Sequence, residues 1–156
     1  MKMDIDNIAE TYKLCEATGK LRIMNVVDIE LIKSKKMVSE MGLAFIKETS
    51  KGISKESPDW TFVFRDYYEA LRGMIEAYLL FDRISSDNHQ CMNAYICMKH
   101  PGLALDWEFL ETVRLKRNAI NYRGQLITYE VWDSLKLKFE LHIKAISKAI
   151  DEKLRN

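Results

Sequence analysis

The chain has 156 residues, of which 47% are hydrophobic and 30% are charged, and its formal net charge is +1. This composition is typical of a soluble globular protein, and the length is sufficient for one domain with a substantial apolar core. Residues 1–19 lack the apolar run of a signal peptide, and no segment approaches the roughly 20 apolar residues of a membrane-spanning helix. We therefore expect a cytoplasmic protein without a membrane association. The net charge indicates no partner, so an anion-binding property would have to come from local clustering.

The three cysteines, Cys15, Cys91 and Cys97, are odd in number and have no metal-ligand spacing. In a reducing compartment a disulfide or a zinc site is disfavoured, and small buried hydrophobic roles are expected instead. We expect no metal and no cofactor.

Helical periodicity dominates the chain, which has only two prolines. Six helices are predicted, with approximate bounds of 5–17, 28–49, 58–84, 88–99, 106–122 and 128 to the C-terminus. Four of them are long and amphipathic, which predicts an all-α fold: an antiparallel (up-down) bundle of four long helices plus short extra helices. Residues 1–156 are predicted to form one domain, with a short N-terminal helix in 1–20 and the bundle in 28–154.

Apolar stripes on the long helices are predicted to face the core. On the second helix the stripe comprises Leu31, Val38, Met41 and Phe45, and Lys33, Lys35 and Lys36 are expected on a solvated face. On the third helix, which Ser57, Pro58 and Asp59 are expected to start, it comprises Phe64, Tyr68, Leu71, Ile75 and Tyr78. On the sixth it comprises Trp132, Leu135, Phe139, Ile143, Ile146 and Ile150. Two four-apart ion pairs, Arg65–Glu69 and Arg72–Glu76, are expected to stabilise the surface of the third helix.

Sequence motifs of common enzyme classes are absent: no phosphate-binding glycine loop, HExxH or GxSxG pattern occurs. The histidines are not spaced with carboxylates as a metal site requires. His89 and His100 are expected at the surface. His142 falls on the packing side of the sixth helix.

A cluster of basic and amide side chains occupies the end of the fifth helix, between residues 114 and 123. This mixture suits contacts with phosphate and with exposed bases. Arg117 falls inside the apolar stripe marked by Leu110, Val113 and Ile120. A guanidinium on a packing face is costly unless it is paired. A second subunit, a ligand or an internal carboxylate could each supply the partner.

The order of helices and the late Arg-Asn pair resemble the HEPN family, the higher eukaryote and prokaryote nucleotide-binding domains. The family's hallmark is an arginine, a polar residue directly after it, and a histidine that is separated from the arginine by four to six residues in total. Arg117 and Asn118 match the first two positions, and Tyr122 occupies the position of the histidine. The resemblance covers residues 57–156 well and the first two helices more loosely.

The resemblance implies a homodimer in which the helix around 106–122 meets its copy across a twofold axis and lines a shared cleft. In active members the arginine and the histidine promote metal-independent RNA cleavage by the ribose 2′-hydroxyl. Tyrosine, with an ordinary pKa of about 10, is a poor base at pH 7. We therefore expect a protein that binds RNA or a nucleotide and is weak or inactive as a nuclease. A histidine from elsewhere in the chain, with His142 as the candidate, would be needed to restore cleavage.

The predicted binding residues are Arg114, Lys116, Arg117, Asn118, Asn121, Tyr122 and Arg123; the predicted catalytic residues are Arg117, Tyr122 and His142. Two alternatives remain open. One is a working endoribonuclease that acts as the toxin of a toxin–antitoxin pair, with a small nucleotidyltransferase as partner. The other is a structural or assembly module in which Arg117 makes interface hydrogen bonds only.

Overall fold

A computed structural model describes residues 4–156; residues 1–3 of the predicted domain lie outside the described part. The fold is predominantly α-helical, as predicted. In chain order the elements are α1 (Ile8–Ala17), β1 (Arg22–Ile23), α2 (Ile29–Ser50), α3 (Trp60–Phe81), β2 (Ile84–Ser85), α4 (His89–Lys99), a 3-10 turn (Pro101–Leu103), α5 (Trp107–Arg123) and α6 (Tyr129–Arg155). No helix of the described part has both the length and the apolar character that crossing a bilayer requires.

Side-chain caps begin five of the six helices; the capping residues are Asn7, Asp28, Asn88, Asp106 and Thr128. Each side-chain oxygen accepts a backbone N–H from the first helical turn, which satisfies a donor that the helix itself cannot. The third helix is the exception. It begins at Trp60, two residues later than predicted, because Ser57 accepts the backbone N–H of Asp59 and holds a turn there.

The apolar core is centred on α3, which packs against both α2 and α6. The predicted stripes of α3 and α6 are confirmed, although Leu135 is only partly buried. Aromatic rings from the two helices pack against each other: the centroids of Phe64 and Phe139 are 5.6 Å apart in an edge-to-face arrangement, and those of Tyr67 and Trp132 are 4.5 Å apart with tilted rings. Such pairs add to the stabilisation from buried area.

The predicted core face of α2 is wrong. The buried residues of α2 are Ile32, Ser39 and Ile46, at a spacing of seven. Val38, Met41 and Phe45 are each more than 60% exposed, and Leu31 is 39% exposed. A periodic stripe shows that a helix has an apolar side, but it does not show which neighbour covers that side.

The lysines of α2 also differ from the prediction of a solvated face, because only Lys33 is exposed. Lys35 is half-buried and pairs with Glu76 of α3 at 3.0 Å. Lys36 is half-buried and pairs with Glu40 and, at 3.1 Å, with Asp151 of α6. These two lysines therefore tie α2 to α3 and α6.

The N-terminal segment is held to the rest of the fold in two ways that were not predicted. β1 pairs with β2 in a two-residue antiparallel ladder, too short to leave a period-two pattern in the sequence. Cys15 of α1 and Cys91 of α4 form a disulfide with their Cα atoms 5.7 Å apart, which overturns the expectation of free cysteines. Cys97 is free and half-buried, and burial raises its pKa to about 12.

Candidate functional site around Arg117

The polar segment of α5 faces three different surroundings. Arg114 and Arg117 face other helices, with side chains that are 15% and 17% exposed. Lys116 and Asn118 are half-buried. The exposed residues lie in the last turn: Asn121, Tyr122 and Arg123. The predicted binding residues therefore do not form one surface within a chain.

Arg114 is paired with an internal carboxylate. Glu111, one turn earlier on α5, is only 1% exposed and accepts from Arg114 Nε at 2.9 Å and Nη2 at 2.8 Å. Its two oxygens also accept from Gln90 at 3.0 Å and from Asn93 at 2.9 Å. Glu111 therefore balances the charge of Arg114 inside the fold and holds its Nε and Nη2.

Arg117 lies against α3, where it is less completely satisfied. Its Nη2 donates to Glu69 Oε1 at 3.4 Å, and its guanidinium lies over the ring of Tyr68 at 5.7 Å from the centroid. Its buried Nε has no hydrogen-bond partner among residues 4–156. Of the three partners that the sequence left open for Arg117, the structure provides an internal carboxylate. The contact is long, however, and Glu69 is exposed.

A second guanidinium reaches the same carboxylate. Arg72 Nη1 donates to Glu69 Oε2 at 3.3 Å, while its Nε donates to Glu76 Oε1 at 2.8 Å. Burial alone would raise the pKa of Glu76, but hydrogen bonds from Arg72 and Lys35 outweigh it and lower the pKa. The predicted Arg72–Glu76 pair is therefore confirmed, and it anchors Arg72.

The predicted Arg65–Glu69 pair does not form. The guanidinium of Arg65 lies over the ring of Phe62, 4.9 Å from its centroid. Glu69 instead bridges Arg72 and Arg117. We call these three residues, together with Tyr68 and His89, the Arg117 site.

His89 belongs to this site rather than to the open surface that was expected for it. It is the first residue of α4, half-buried, and its Nδ1 is 3.3 Å from the Tyr68 hydroxyl. Burial, reinforced by the positive charges of Arg72 and Arg117, lowers the pKa of His89 below its ordinary value. The imidazole is thus neutral at pH 7. Burial also raises the pKa of Tyr68 to about 12, so its hydroxyl keeps its proton.

His142, the histidine expected to complete the site, has a structural place instead. Its Nε2 accepts the backbone N–H of Asp106 at 3.0 Å, and its Nδ1 donates to the carbonyl of Lys138 at 2.7 Å. Both ring nitrogens are therefore used. Asp106 caps α5, and at 1.5 Å per residue it lies roughly 16 Å along the axis from Arg117.

Tyr122 is not brought to Arg117 within one chain. α5 remains helical through Arg123 and ends at Gly124, whose φ of 63° glycine adopts readily. The five-residue step therefore keeps its direction of about 140° around the axis. Tyr122 is 79% exposed, away from α3.

Three of the residues that surround Arg117 were not singled out from the sequence for this role: Tyr68, Glu69 and His89. Tyr68 and Glu69 read as ordinary positions on an amphipathic helix. His89 reaches them only because the turn after α3 returns α4 against α3. No local signal marks that contact.

Within residues 4–156, no three His, Cys, Asp or Glu side chains are grouped closely enough to hold a metal ion. Comparisons with protein-family models, with curated proteins and with solved structures found no match to this chain. The resemblance to the HEPN family thus stays a prediction that rests on helix order and on the residues at 117, 118 and 122.

Proposed function

We propose that this chain binds RNA or a nucleotide, with a phosphate taking the place of Glu69 between Arg72 and Arg117. The observation that carries the proposal is the convergence of two guanidiniums on one exposed carboxylate, at 3.3 and 3.4 Å. Ion pairs of this kind contribute little stability, so exchanging the carboxylate for another anion costs little. A phosphate offers more acceptor oxygens than a carboxylate, and guanidinium binds it in a bidentate manner.

The exposed last turn of α5 favours a nucleic-acid ligand over a simple anion. Tyr122 is an exposed ring on which a base can stack, and Asn121 and Arg123 are exposed beside it. In the proposed HEPN-like arrangement, an antiparallel bundle pairs through 106–122 with a second copy. The partner's exposed last turn of α5 then adds to the cleft that holds Arg117.

The proposal is tested by anisotropy of a labelled single-stranded RNA. Arg117→Ala is expected to weaken binding roughly tenfold and to reduce the slope of log affinity against log salt by about 1. Arg155→Ala, at the exposed end of α6, is the matched control and should leave both unchanged. Equal losses in the two variants, or binding that does not depend on salt, would contradict a phosphate site at Arg117.

A second candidate function is metal-independent RNA cleavage, and His89 is the observation that favours it. A neutral imidazole beside two arginines has the groups that such a reaction uses: a base for the 2′-hydroxyl and cations for the developing phosphorane charge. If Nδ1–H donates to the Tyr68 oxygen, the lone pair of Nε2 is the free base. The alternative that the sequence left open, an endoribonuclease toxin of a toxin–antitoxin pair, falls under this candidate.

Cleavage of single-stranded RNA in the presence of a chelator distinguishes the two candidates. An active enzyme would lose its activity in both Arg117→Ala and His89→Gln. Cleavage that is absent in the natural chain and created by Tyr122→His would instead make it a binding protein on a nuclease scaffold. Activity that survives His89→Gln would remove His89 from the reaction.

A further inference from the structure

One side of α2 presents large apolar side chains to solvent. Val38, Met41 and Phe45 are 69%, 64% and 69% exposed, and their spacing of three and four places them on one face of the helix. Single exposed apolar residues are ordinary, but a continuous apolar stripe marks an interaction surface.

An open groove of about 540 Å³ runs between this stripe and α3. Val38 and Phe45 line it from α2, and Ala70 and Gly73 line it from α3. The two helices approach closely at Gly73, where an added Cβ atom would lie 2.2 Å from Ser39 Oγ. We call this feature the α2–α3 groove.

The charges that line the groove are mainly negative. Its carboxylates are Asp66, Glu69 and Glu76, and Lys35 is the one basic residue among the lining residues. Glu76 is already paired with Lys35 and with Arg72. The remaining two carboxylates are less well compensated.

Asp66 makes no ion pair with any residue of the described range 4–156. Arg65, its neighbour in sequence, lies over the Phe62 ring. Burial raises the pKa of Asp66 more than the nearby charge of Arg65 lowers it, and the charge of Glu69 adds to the increase. A half-buried carboxylate at the edge of an apolar groove is stabilised by an external cation more than by solvent.

Apolar walls with one carboxylate at the rim that lacks an ion pair among the described residues, Asp66, match one kind of occupant. An amphipathic helix with basic residues beside its apolar face would contact both features at once. A second copy of this chain that docked through the apolar stripe of α2 would be less complementary, because Val38, Met41 and Phe45 carry no cation for Asp66.

We propose that the α2–α3 groove binds a positively charged amphipathic helix of a partner protein, with apolar side chains on Val38 and Phe45 and a basic side chain on Asp66. A second basic side chain reaches Glu69, which the groove shares with the Arg117 site. Pairing there competes with Arg117 and releases its guanidinium. This consequence for RNA rests on the proposed function; the docking itself does not.

The coupling between the α2–α3 groove and the RNA site is reciprocal. A basic helix that releases Arg117 favours RNA binding, and RNA that holds the released Arg117 favours binding of the basic helix to the same extent. The coupling is therefore measurable without RNA. Removing the competitor, as in Arg117→Ala, should raise the affinity of the groove for a basic helix roughly two- to fivefold, which is the effect of one partly exposed ion pair.

The test uses a labelled synthetic leucine–lysine peptide that forms an amphipathic helix, with a leucine–glutamate peptide of the same pattern as control. The lysine peptide is expected to bind, and the glutamate peptide to bind at least about tenfold more weakly. Phe45→Ser should reduce binding on the order of tenfold. Asp66→Asn, which removes one partly exposed ion pair, should reduce it roughly two- to fivefold. The matched control variants lie on α6, at the exposed residues Leu137 and Asp133, as Leu137→Ser and Asp133→Asn.

Equal binding of the two peptides, or equal losses in groove and control variants, would overturn the proposal. The proposal would also be overturned if the chain did not bind the lysine peptide and formed a dimer that Phe45→Ser dissociates. The apolar stripe of α2 would then join two copies of the chain. RNA binding is measured on the same variants without peptide. A chain that binds the peptide but no RNA contradicts the proposed function and leaves the docking site standing.

Discussion

Replacing Glu111 by glutamine is expected to destabilise the fold more than any other change of a single carboxylate to an amide on α5. Its carboxylate is 1% exposed and accepts four hydrogen bonds, two of them from Arg114. The amide removes the negative charge that balances Arg114 and turns one acceptor into a donor that faces other donors.

The expected cost is about 3 kcal/mol. Breaking a buried ion pair by removing one partner costs roughly 3–5 kcal/mol, and the lower end applies because the Arg114 side chain keeps 15% exposure and some access to water. Urea unfolding followed by circular dichroism measures this loss. With a slope of roughly 2 kcal/mol per molar urea, the midpoint should fall by about 1.5 M.

The control is Glu56→Gln, the same chemical change at an exposed loop residue, which should stay within about 0.5 kcal/mol of the natural chain. Adding Arg114→Met to Glu111→Gln should recover part of the loss, because the two charges act as a pair. A loss below about 1 kcal/mol, or strictly additive losses, would show that Glu111 and Arg114 do not act as a buried pair. Arg114 would then be free to contact RNA, as the sequence suggested.

Three further outcomes are expected from stability measurements. Because the pKa of His89 is lowered in the folded chain, the unfolded chain takes up a proton more readily, and stability should fall as the pH drops below about 6.5. The fall should be less steep in His89→Asn, and an unchanged slope of stability against pH in this variant would contradict the burial of His89. Reducing the disulfide between Cys15 and Cys91, which closes a separation of 76 residues, should lower the free energy of unfolding by about 4 kcal/mol because the unfolded chain loses a constraint. Unfolding curves with and without reductant measure this loss, and superimposed curves would contradict the prediction. Gly73→Ala should destabilise the natural chain because the new Cβ atom would lie too close to Ser39 Oγ. When Ser39→Ala is also present, Gly73→Ala should become neutral or stabilising, since alanine favours helix over glycine by about 1 kcal/mol. An equal effect of Gly73→Ala with and without Ser39→Ala would rule out the close approach.

The helix bounds were predictable where a cap and an apolar run coincide. Asp106 and Thr128 each precede a helix by one residue, and both cap through their side chains. These are local interactions, so the sequence carries them directly. The later start of α3 and the exposed stripe of α2 could not be predicted in this way. They depend on a turn and on how neighbouring helices pack.

The candidate site was predictable only in part. The position of Arg117 on a packing face follows from periodicity and is confirmed. Its partner Glu69 lies 48 positions earlier in the chain, on another helix, and no spacing rule reaches that far. His89 enters the site through the same long-range packing. His142 was correctly placed on the packing side of its helix, but that side meets the cap of α5 rather than Arg117.

RNA affinity in Glu69→Gln tests whether a phosphate takes the place of Glu69 between Arg72 and Arg117. The variant removes the internal carboxylate and keeps the size and shape of the side chain. We expect RNA binding roughly three- to tenfold tighter than that of the natural chain, with a steeper dependence on salt, because both guanidiniums become available to phosphate. Unchanged or weaker binding in Glu69→Gln would contradict a phosphate site between the two arginines.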